Sequence, residues 1–450
     1  MGSYFGTDGV RGVANKDLTP ELALKLGKAG GDLLLKKAVP EISREEARVI
    51  VGKDTRISGD MLFGALMAGL AAVGIDVVNA GVVPTPAVAF MTSSSRAVVG
   101  GIMISASHNP VADNGIKFFD GEGFKLSDEE EDGIETLLEE ELDRAAPDQV
   151  GRRFEADEAL IDGYLESLKE AAGIDLSELN AVLDCAHGAA HKLGPRVLKE
   201  LGVDCKVLND EGRGDLINVD SGSTDPDRVK KTVVNSEADL GIALDGDADR
   251  CLLIDENGKE VDGDRILSIC ALDMIENGVL NKNRLVTTKY SNLGLRELLL
   301  RKGASVEFAA SGDKYVLEKM KRENLNLGGE KSGHIIFLDH NTTGDGLLTA
   351  LKVMSVMVRQ NISLSDLSSR FSPWPQKLIN IRVSRKNEWS DNEEINREIS
   401  RAEEDLNDGR VFVRASGTEP LVRVMLESRD EEKIKKWEER LEAVISRELN

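Results

Sequence analysis

Ala47 to Val78 reads ARVIVGKDTRISGDMLFGALMAGLAAVGIDVV. A short apolar run, Val49 to Val51, ends in the polar loop Lys53-Asp54-Thr55-Arg56. A helical stretch then runs through Leu70, Gly74 interrupts it, and a second β-rich run begins at Ile75. Strand, polar loop, helix, glycine, strand is the pattern of a right-handed crossover between parallel strands. The pattern recurs twice. Ala181–Gly188 (AVLDCAHG) leads through a helix to Leu201 and into Gly202–Leu208 (GVDCKVL). Arg284–Asn292 (RLVTTKYSN) leads through a helix to Leu300 and into Gly303–Phe308 (GASVEF). The three copies share pattern, not identity. They predict an α/β chain of three tandem related domains with mixed, largely parallel sheets.

Beyond Ser372–Pro375 (SPWP) the pattern changes. Val411–Arg414 and Leu421–Glu427 read as strands, and Ile434, Trp437, Leu441, Val444 and Ile445 form one stripe of a terminal helix. This segment predicts a smaller α+β domain rather than a fourth copy. The expected boundaries are 1–152, 153–255, 256–371 and 372–450, with Ala145–Arg153 as a linker and Asp255–Gly263 as a turn after a strand. A chain of 450 residues is too long for a single core, in keeping with several domains.

Composition narrows the function classes. A chain 41% hydrophobic and 30% charged reads as soluble and globular, with no run approaching a membrane span. Met1 is followed by Gly-Ser-Tyr rather than a basic and apolar leader, so a cytoplasmic location and no membrane partner are expected. The four cysteines lack Cys-x-x-Cys spacing and read as buried thiols. A net charge of -23 argues against nucleic-acid binding. Much of that charge lies in solvated runs such as Asp128–Glu131 and Glu139–Glu141. An anionic substrate must therefore be held by a few placed arginines and lysines.

Four stretches carry chemistry. In Gly101–Lys117 (GIMISASHNPVADNGIK) an apolar strand, Val98 to Ile104, ends in Ser105, Ser107 and His108, which puts a hydroxyl on a loop at a strand end. In Leu244–Cys251 the carboxylates Asp245, Asp247 and Asp249 alternate. Three anions held together call for an oxygen-liganded divalent cation. An EF-hand is the rival, with Glu256 at its twelfth position, but Arg250 stands where that loop needs glycine. Gly329–His334 (GEKSGH) offers an acceptor, Glu330, and a two-way hydroxyl, Ser332, as sugar hydroxyls require. Arg414–Pro420 (RASGTEP) offers a guanidinium, the hydroxyls of Ser416 and Thr418, and the backbone of Gly417, the parts of a phosphate cradle. Each also reads, taken alone, as an ordinary polar turn. Phe5–Gly12 (FGTDGVRG) reads as a flexible loop with one anion binder, Arg11. His187 and His191 stand at helical spacing and read as structural or pocket-lining.

FGTDGVRG, SASHNPVADNGIKFF, DGDADR, GEKSGH, TTGDG and RASGTEP occur in this order along essentially the whole chain. As a set they resemble the α-D-phosphohexomutase superfamily, and within it the bacterial glucosamine-phosphate branch. The resemblance implies four domains around one cleft, each supplying a motif. It implies that Ser107 carries the phosphoryl group as phosphoserine, and that Asp245, Asp247 and Asp249 hold one Mg²⁺ per chain with a Ser107 phosphoryl oxygen. Glu330 and Ser332 would bind sugar hydroxyls. Arg414, Ser416, Gly417 and Thr418 would bind the phosphate that is not transferred. Arg11, His108, Lys117, Arg250 and His334 would line the reacting centre, with Lys117 and His334 as candidates for acid/base work. The implied reaction interconverts glucosamine 6-phosphate and glucosamine 1-phosphate through a 1,6-bisphosphate, and a sugar bisphosphate or another phosphoryl donor primes Ser107. The partner is a phosphosugar, and the chain is a monomer or a homodimer. Lys314, Lys331 and Ser221 depart from the usual Arg, Gln and Cys of that branch. The rival readings are a phosphomannomutase/phosphoglucomutase of the same mechanism and a non-catalytic sugar-phosphate binding protein.

Overall fold

The computed structural model describes residues 4–6, 8–38, 42, 46–416 and 419–450. Among them the strands form four sheets, of seven, five, four and three strands. The unit read from Ala47–Val78 supplies two neighbouring strands of the first. Strand Arg48–Lys53 runs parallel to Asp76–Val82 on one side and to Val98–Ile104 on the other. Helix Gly59–Ala72 packs against Pro20–Ala38, and glycine is required where they cross. A Cβ on Gly27 would stand 2.3 Å from the Leu66 carbonyl oxygen.

Each of the first three sheets combines parallel crossover strands with an antiparallel hairpin, and the hairpin carries the motif. Val98–Ile104 pairs with Asp113–Asp120, setting Met103 opposite Lys117. Lys117 therefore returns beside the strand that launches Ser107. Leu240–Leu244 runs parallel to Asn180–Asp184 and antiparallel to Cys251–Asp255. The Leu244–Cys251 pair closes the loop that bears the three aspartates. In the third sheet, Arg284–Thr288 is parallel to Ser305–Ala309 and to Leu327–Gly329. Leu327–Gly329 then turns through GEKSGH into Ile335–Phe337. In the fourth, Arg410–Ala415 pairs with Leu421–Glu427, which also pairs with Gln376–Arg382. The whole is three α/β layers of mixed sheets followed by a smaller α+β unit.

One apolar cluster joins the layers, running from Val88 and Tyr164 through Leu183 and Leu244 to Leu295 and Met354. The fourth sheet has its own cluster, which includes Val424, Trp437, Leu441, Val444 and Ile445. No helix among the described residues is long and apolar enough to cross a membrane.

Three expectations need correction. Phe5–Gly12 is not a flexible loop: Phe5–Gly6 and Gly9–Val13 form a hairpin, and Gly9–Val13 joins the first sheet against Asp113–Asp120. The linker after Ala145 ends in a strand, Arg153–Glu155, that extends the first sheet beyond Asp76–Val82. That strand begins one residue past the expected boundary at 152. His187 and His191 do not share a helix. His187 has φ +51°, and the helix, Leu193–Glu200, begins after both.

Candidate active site

The loop from Ser105 to Ala112 is built before it can carry chemistry. Ser107 has φ +52°, a left-handed conformation that serine rarely adopts. Three side chains impose it. Ser105 Oγ accepts the Ser107 N–H at 2.9 Å and donates to Asp54 Oδ2 at 2.6 Å. The guanidinium of Arg56, fully buried against Asp54, donates to the carbonyls of Ser107, Asn109, Pro110 and Asp113. Asn218 Nδ2 donates to the Ser107 carbonyl at 2.9 Å. The aspartate loop then closes on the serine. A Cβ at Gly246 would lie 2.6 Å from the Ser107 carbonyl oxygen, so this approach requires glycine.

Across that contact Ser107 Oγ donates to Asp245 Oδ2 at 2.5 Å. Asp247 Oδ2 accepts from Thr85 Oγ1 at 2.6 Å and from Lys117 Nζ at 2.8 Å. Asp249 Oδ2 faces Lys117 at 3.4 Å and His334 Nδ1 at 3.6 Å. Ligand oxygens of the three aspartates lie within 4.8 Å of one another. All three residues are buried. Among the described residues, Asp247 Oδ1 and Asp249 Oδ1 have no hydrogen-bond partner. Burial, with Asp249 and Asp247 beside it, pushes the Asp245 carboxyl well above the usual range. Two orphaned carboxylate oxygens beside a third carboxylate that resists ionisation are the donor set a hard divalent cation compensates.

The cations are arranged around this cluster. Burial opposes the charge on Lys117, but Asp247, Asp8 and Asp249 override it and hold the ammonium well above the ordinary lysine range. Burial and the guanidiniums of Arg250 and Arg11 push the His108 imidazole down to about 4, and its Nδ1 lies 3.3 Å from Ser107 Oγ. Arg11 donates to Asn109 Oδ1 at 3.0 Å and pairs with Asp8. Arg250 Nε lies 3.8 Å from Asp249 Oδ1. His334 Nε2 accepts the Gly344 N–H at 3.1 Å, so the ring proton sits on Nδ1, toward Asp249. Asp249 and Asp313 pull this buried ring toward a second proton, but adding it at Nε2 would break the Gly344 bond.

Ser107, His108, Lys117, Arg11, Arg250, His334 and the three aspartates thus form one cluster. The expected sugar- and phosphate-binding residues lie farther along the contacts. Glu330 Oε1 accepts the Gly312 N–H at 3.2 Å, and its charge is felt at Arg250. Ser332 is exposed on the same turn. Arg414 stacks over the Tyr290 ring at 5.4 Å, and its Nε has no partner among the described residues. Ser416 Oγ accepts the Glu419 N–H at 3.3 Å, and Lys386 Nζ donates to the Ser416 carbonyl at 2.6 Å. Gly417 and Thr418 lie outside the described residues. No hydrogen bond or ion pair among the described residues ties Arg414 or Ser416 to Ser107.

Six residues around the site were not singled out from the sequence: Asp54, Arg56, Asn218, Asp8, Lys125 and Asp313. Asp8 lies inside FGTDGVRG and Asp313 beside Lys314, so both stand next to residues that were. Lys125 carries no local signal. Its partners are Asp8 and Asp313, far away along the chain.

Comparison with known proteins follows the same order along the chain. The family models for phosphoglucomutase/phosphomannomutase match as alpha/beta/alpha domain I at residues 2–145, domain II at 162–258, domain III at 262–373 and the C-terminal domain at 378–444. A phosphoglucosamine mutase of Halalkalibacterium halodurans is 48% identical, covering 100% of this chain and 99% of that protein. The crystal structure of a phosphoglucomutase/phosphomannomutase family protein from Burkholderia thailandensis superposes with a TM-score of 0.80 at 23% identity, covering 98% of this chain and 96% of that one. An Aspergillus fumigatus N-acetylphosphoglucosamine mutase, crystallised with GlcNAc-6P and magnesium, superposes at 0.69 with 18% identity, covering 99% and 96%. The chain belongs to the phosphoglucomutase/phosphomannomutase family, the α-D-phosphohexomutases, on the branch of the phosphoglucosamine mutases.

Proposed function

We propose that this protein is a phosphosugar mutase that interconverts glucosamine 6-phosphate and glucosamine 1-phosphate through a phosphorylated Ser107. The observation that carries the reading is the 2.5 Å contact of Ser107 Oγ with a buried aspartate triplet in which Asp247 Oδ1 and Asp249 Oδ1 have no hydrogen-bond partner among the described residues. Relatives named phosphoglucosamine mutase, 46–48% identical over their whole lengths, support the sugar.

Asp245, Asp247 and Asp249 would hold one Mg²⁺ together with a Ser107 phosphoryl oxygen; when bound, the ion supplies positive charge to the transferring group. The remaining work falls to side chains. Phosphoryl transfer needs in-line positioning and charge neutralisation more than covalent help. Lys117, held as an ammonium, and Arg250 stabilise the moving phosphoryl group. The Ser107 Oγ–P bond breaks as a bond forms from phosphorus to O1 of glucosamine 6-phosphate, and the proton lost by O1 passes through the acid/base groups of the site to Ser107 Oγ. The resulting 1,6-bisphosphate turns around. The O6–P bond then breaks as the Oγ–P bond forms again, the serine proton passes through the site to O6, and glucosamine 1-phosphate departs. Lys117, already charged, can give a proton to a departing oxygen, and His334 is the other candidate for these transfers. A sugar 1,6-bisphosphate or another phosphoryl donor primes the serine. Glu330 and Ser332 bind sugar hydroxyls, and Arg414, Ser416, Gly417 and Thr418 take the idle phosphate in either orientation.

The test is turnover of the phosphorylated enzyme on glucosamine, glucose and mannose 6-phosphates. Glucosamine 6-phosphate gives the highest kcat/KM. If it is the poorest of the three, the sugar assignment fails. Ser107→Ala removes turnover and the phosphoryl adduct seen by intact mass. An adduct that persists in that variant would refute Ser107 as the carrier.

A further inference from the structure

Six side chains, three buried and three partly buried, close a ring in which carboxylates alternate with lysines and a histidine. Asp8 Oδ2 lies 3.0 Å from Lys117 Nζ, and Asp8 Oδ1 lies 2.6 Å from Lys125 Nζ. Lys125 pairs onward with Asp313. Asp313 Oδ2 is 3.6 Å from His334 Nε2, and His334 Nδ1 is 3.6 Å from Asp249 Oδ2. Asp249 Oδ2 returns to Lys117 at 3.4 Å. Each of the six side chains is between 1% and 16% exposed. Asp8, Lys117 and Lys125 come from the first layer, Asp249 from the second, and Asp313 and His334 from the third.

The reaction as derived above uses Lys117, Asp249 and His334. It assigns nothing to Asp8, Lys125 and Asp313. Yet a buried charge is costly unless paired, and the pairing here is directional. Asp8 spends one oxygen on Lys117 and Arg11 and the other on Lys125. Lys125 therefore limits how strongly Asp8 draws Lys117 away from Asp247. Asp313 faces the His334 Nε2 edge, opposite Asp249, so the ring lies between two carboxylates, and only Asp249 meets its Nδ1 proton. A strap that only fastened the layers together would not need to end on the two side chains placed to handle protons.

We propose that Asp8, Lys125 and Asp313 are positioning residues for phosphoryl transfer, acting through the placement of the Lys117 ammonium and the His334 ring. The inference rests on the mutase reading given above. Removing Lys125 leaves the partly buried carboxylates of Asp8 and Asp313 without the cation between them, and a displacement of Lys117 by a fraction of an ångström slows transfer without weakening sugar binding.

The experiment is single-turnover transfer from phospho-Ser107 to glucosamine 6-phosphate, with steady-state kcat and KM and a melting temperature for each variant. Lys125→Met is expected to lower kcat and the single-turnover rate roughly 10- to 100-fold while KM stays within about threefold. Lys125→Arg, which keeps the charge, recovers most of the rate. Asp313→Asn, close in shape, shows the same split, and adding it to Lys125→Met costs far less than the two single losses combined. If Lys125→Met does not fold, Asp313→Asn alone decides between the outcomes. The inference is overturned if kcat of the folded variant stays within about twofold of the unsubstituted enzyme, if the loss lies wholly in KM, or if Lys125→Arg is as slow as Lys125→Met. An unsubstituted enzyme that turns over none of the three hexose phosphates would instead sink the mutase reading, independently of the ring.

Discussion

Ser107 sits in a left-handed backbone that costs a serine about 1 kcal/mol or more, sustained by Ser105, Arg56 and Asn218. Glycine has no such penalty. Ser107→Gly is therefore expected to melt at or slightly above the temperature of the unsubstituted protein while losing the phosphoryl adduct entirely, as calorimetry and intact mass would report. His108 gives a second expectation. With its imidazole pushed down to about 4, the ring stays neutral at physiological pH, and an NMR titration should find its midpoint well below 6. The native state then holds fewer protons than the unfolded chain between about 4 and 6.5, so this group's contribution to stability is lost as pH falls through that window. Solvent reaches the ring, which keeps the effect small. At this scale the sequence was informative where residues cluster locally. Ser107 and the aspartates announce themselves by spacing. Asp8, Lys125 and Asp313 do not, because an ion pair across more than a hundred residues leaves no mark on either neighbourhood.

The four motifs lie in loops of antiparallel hairpins, three of them appended to parallel crossover strands. The crossovers were legible because apolar runs, glycines and helix periodicity coincide in them. The hairpin Phe5–Val13 was not, since its glycines interrupt the alternation that marks a strand. Arg153–Glu155 is fully exposed and Gln376–Arg382 only partly buried, so their side chains give little of the pattern that burial imposes. Arg56 is the element-scale anchor: one guanidinium serves four carbonyls of the Ser107 loop. Arg56→Ala leaves Asp54 buried without its cation and those carbonyls short of donors. It is expected to cost about 3–5 kcal/mol in urea unfolding and to reduce phosphorylation of Ser107 even in the folded fraction.

At the scale of the molecule, the fourth unit has a separate core and meets the third through polar contacts and through aromatic ones such as Tyr290 on Phe412. Glu427, fully buried, accepts the Leu293 N–H at 2.8 Å and pairs with Arg410, which also reaches the Ser291 carbonyl. Asn292 bonds the backbone of Trp374 in both directions. Removing the carboxylate strands a buried guanidinium and a helix-start N–H. Glu427→Ala should therefore lower stability by about 3 kcal/mol or more and expose the segment around 372–376 to proteolysis, while Ser107 still accepts a phosphoryl group.

The aspartate triplet is contributed by the second sheet, but its neighbours Ser107, Thr85 and Lys117 belong to the first. A cation seated there would bind the folded chain and not the unfolded one, which has no such cage. Binding and folding would then be linked. A hundredfold excess of ion over its dissociation constant adds about 2.7 kcal/mol to the native state. Melting temperature should accordingly rise with the logarithm of free Mg²⁺, fall on chelation, and lose this dependence in Asp247→Asn. An enzyme built this way reads the ionic supply of its surroundings twice, once as speed and once as lifetime.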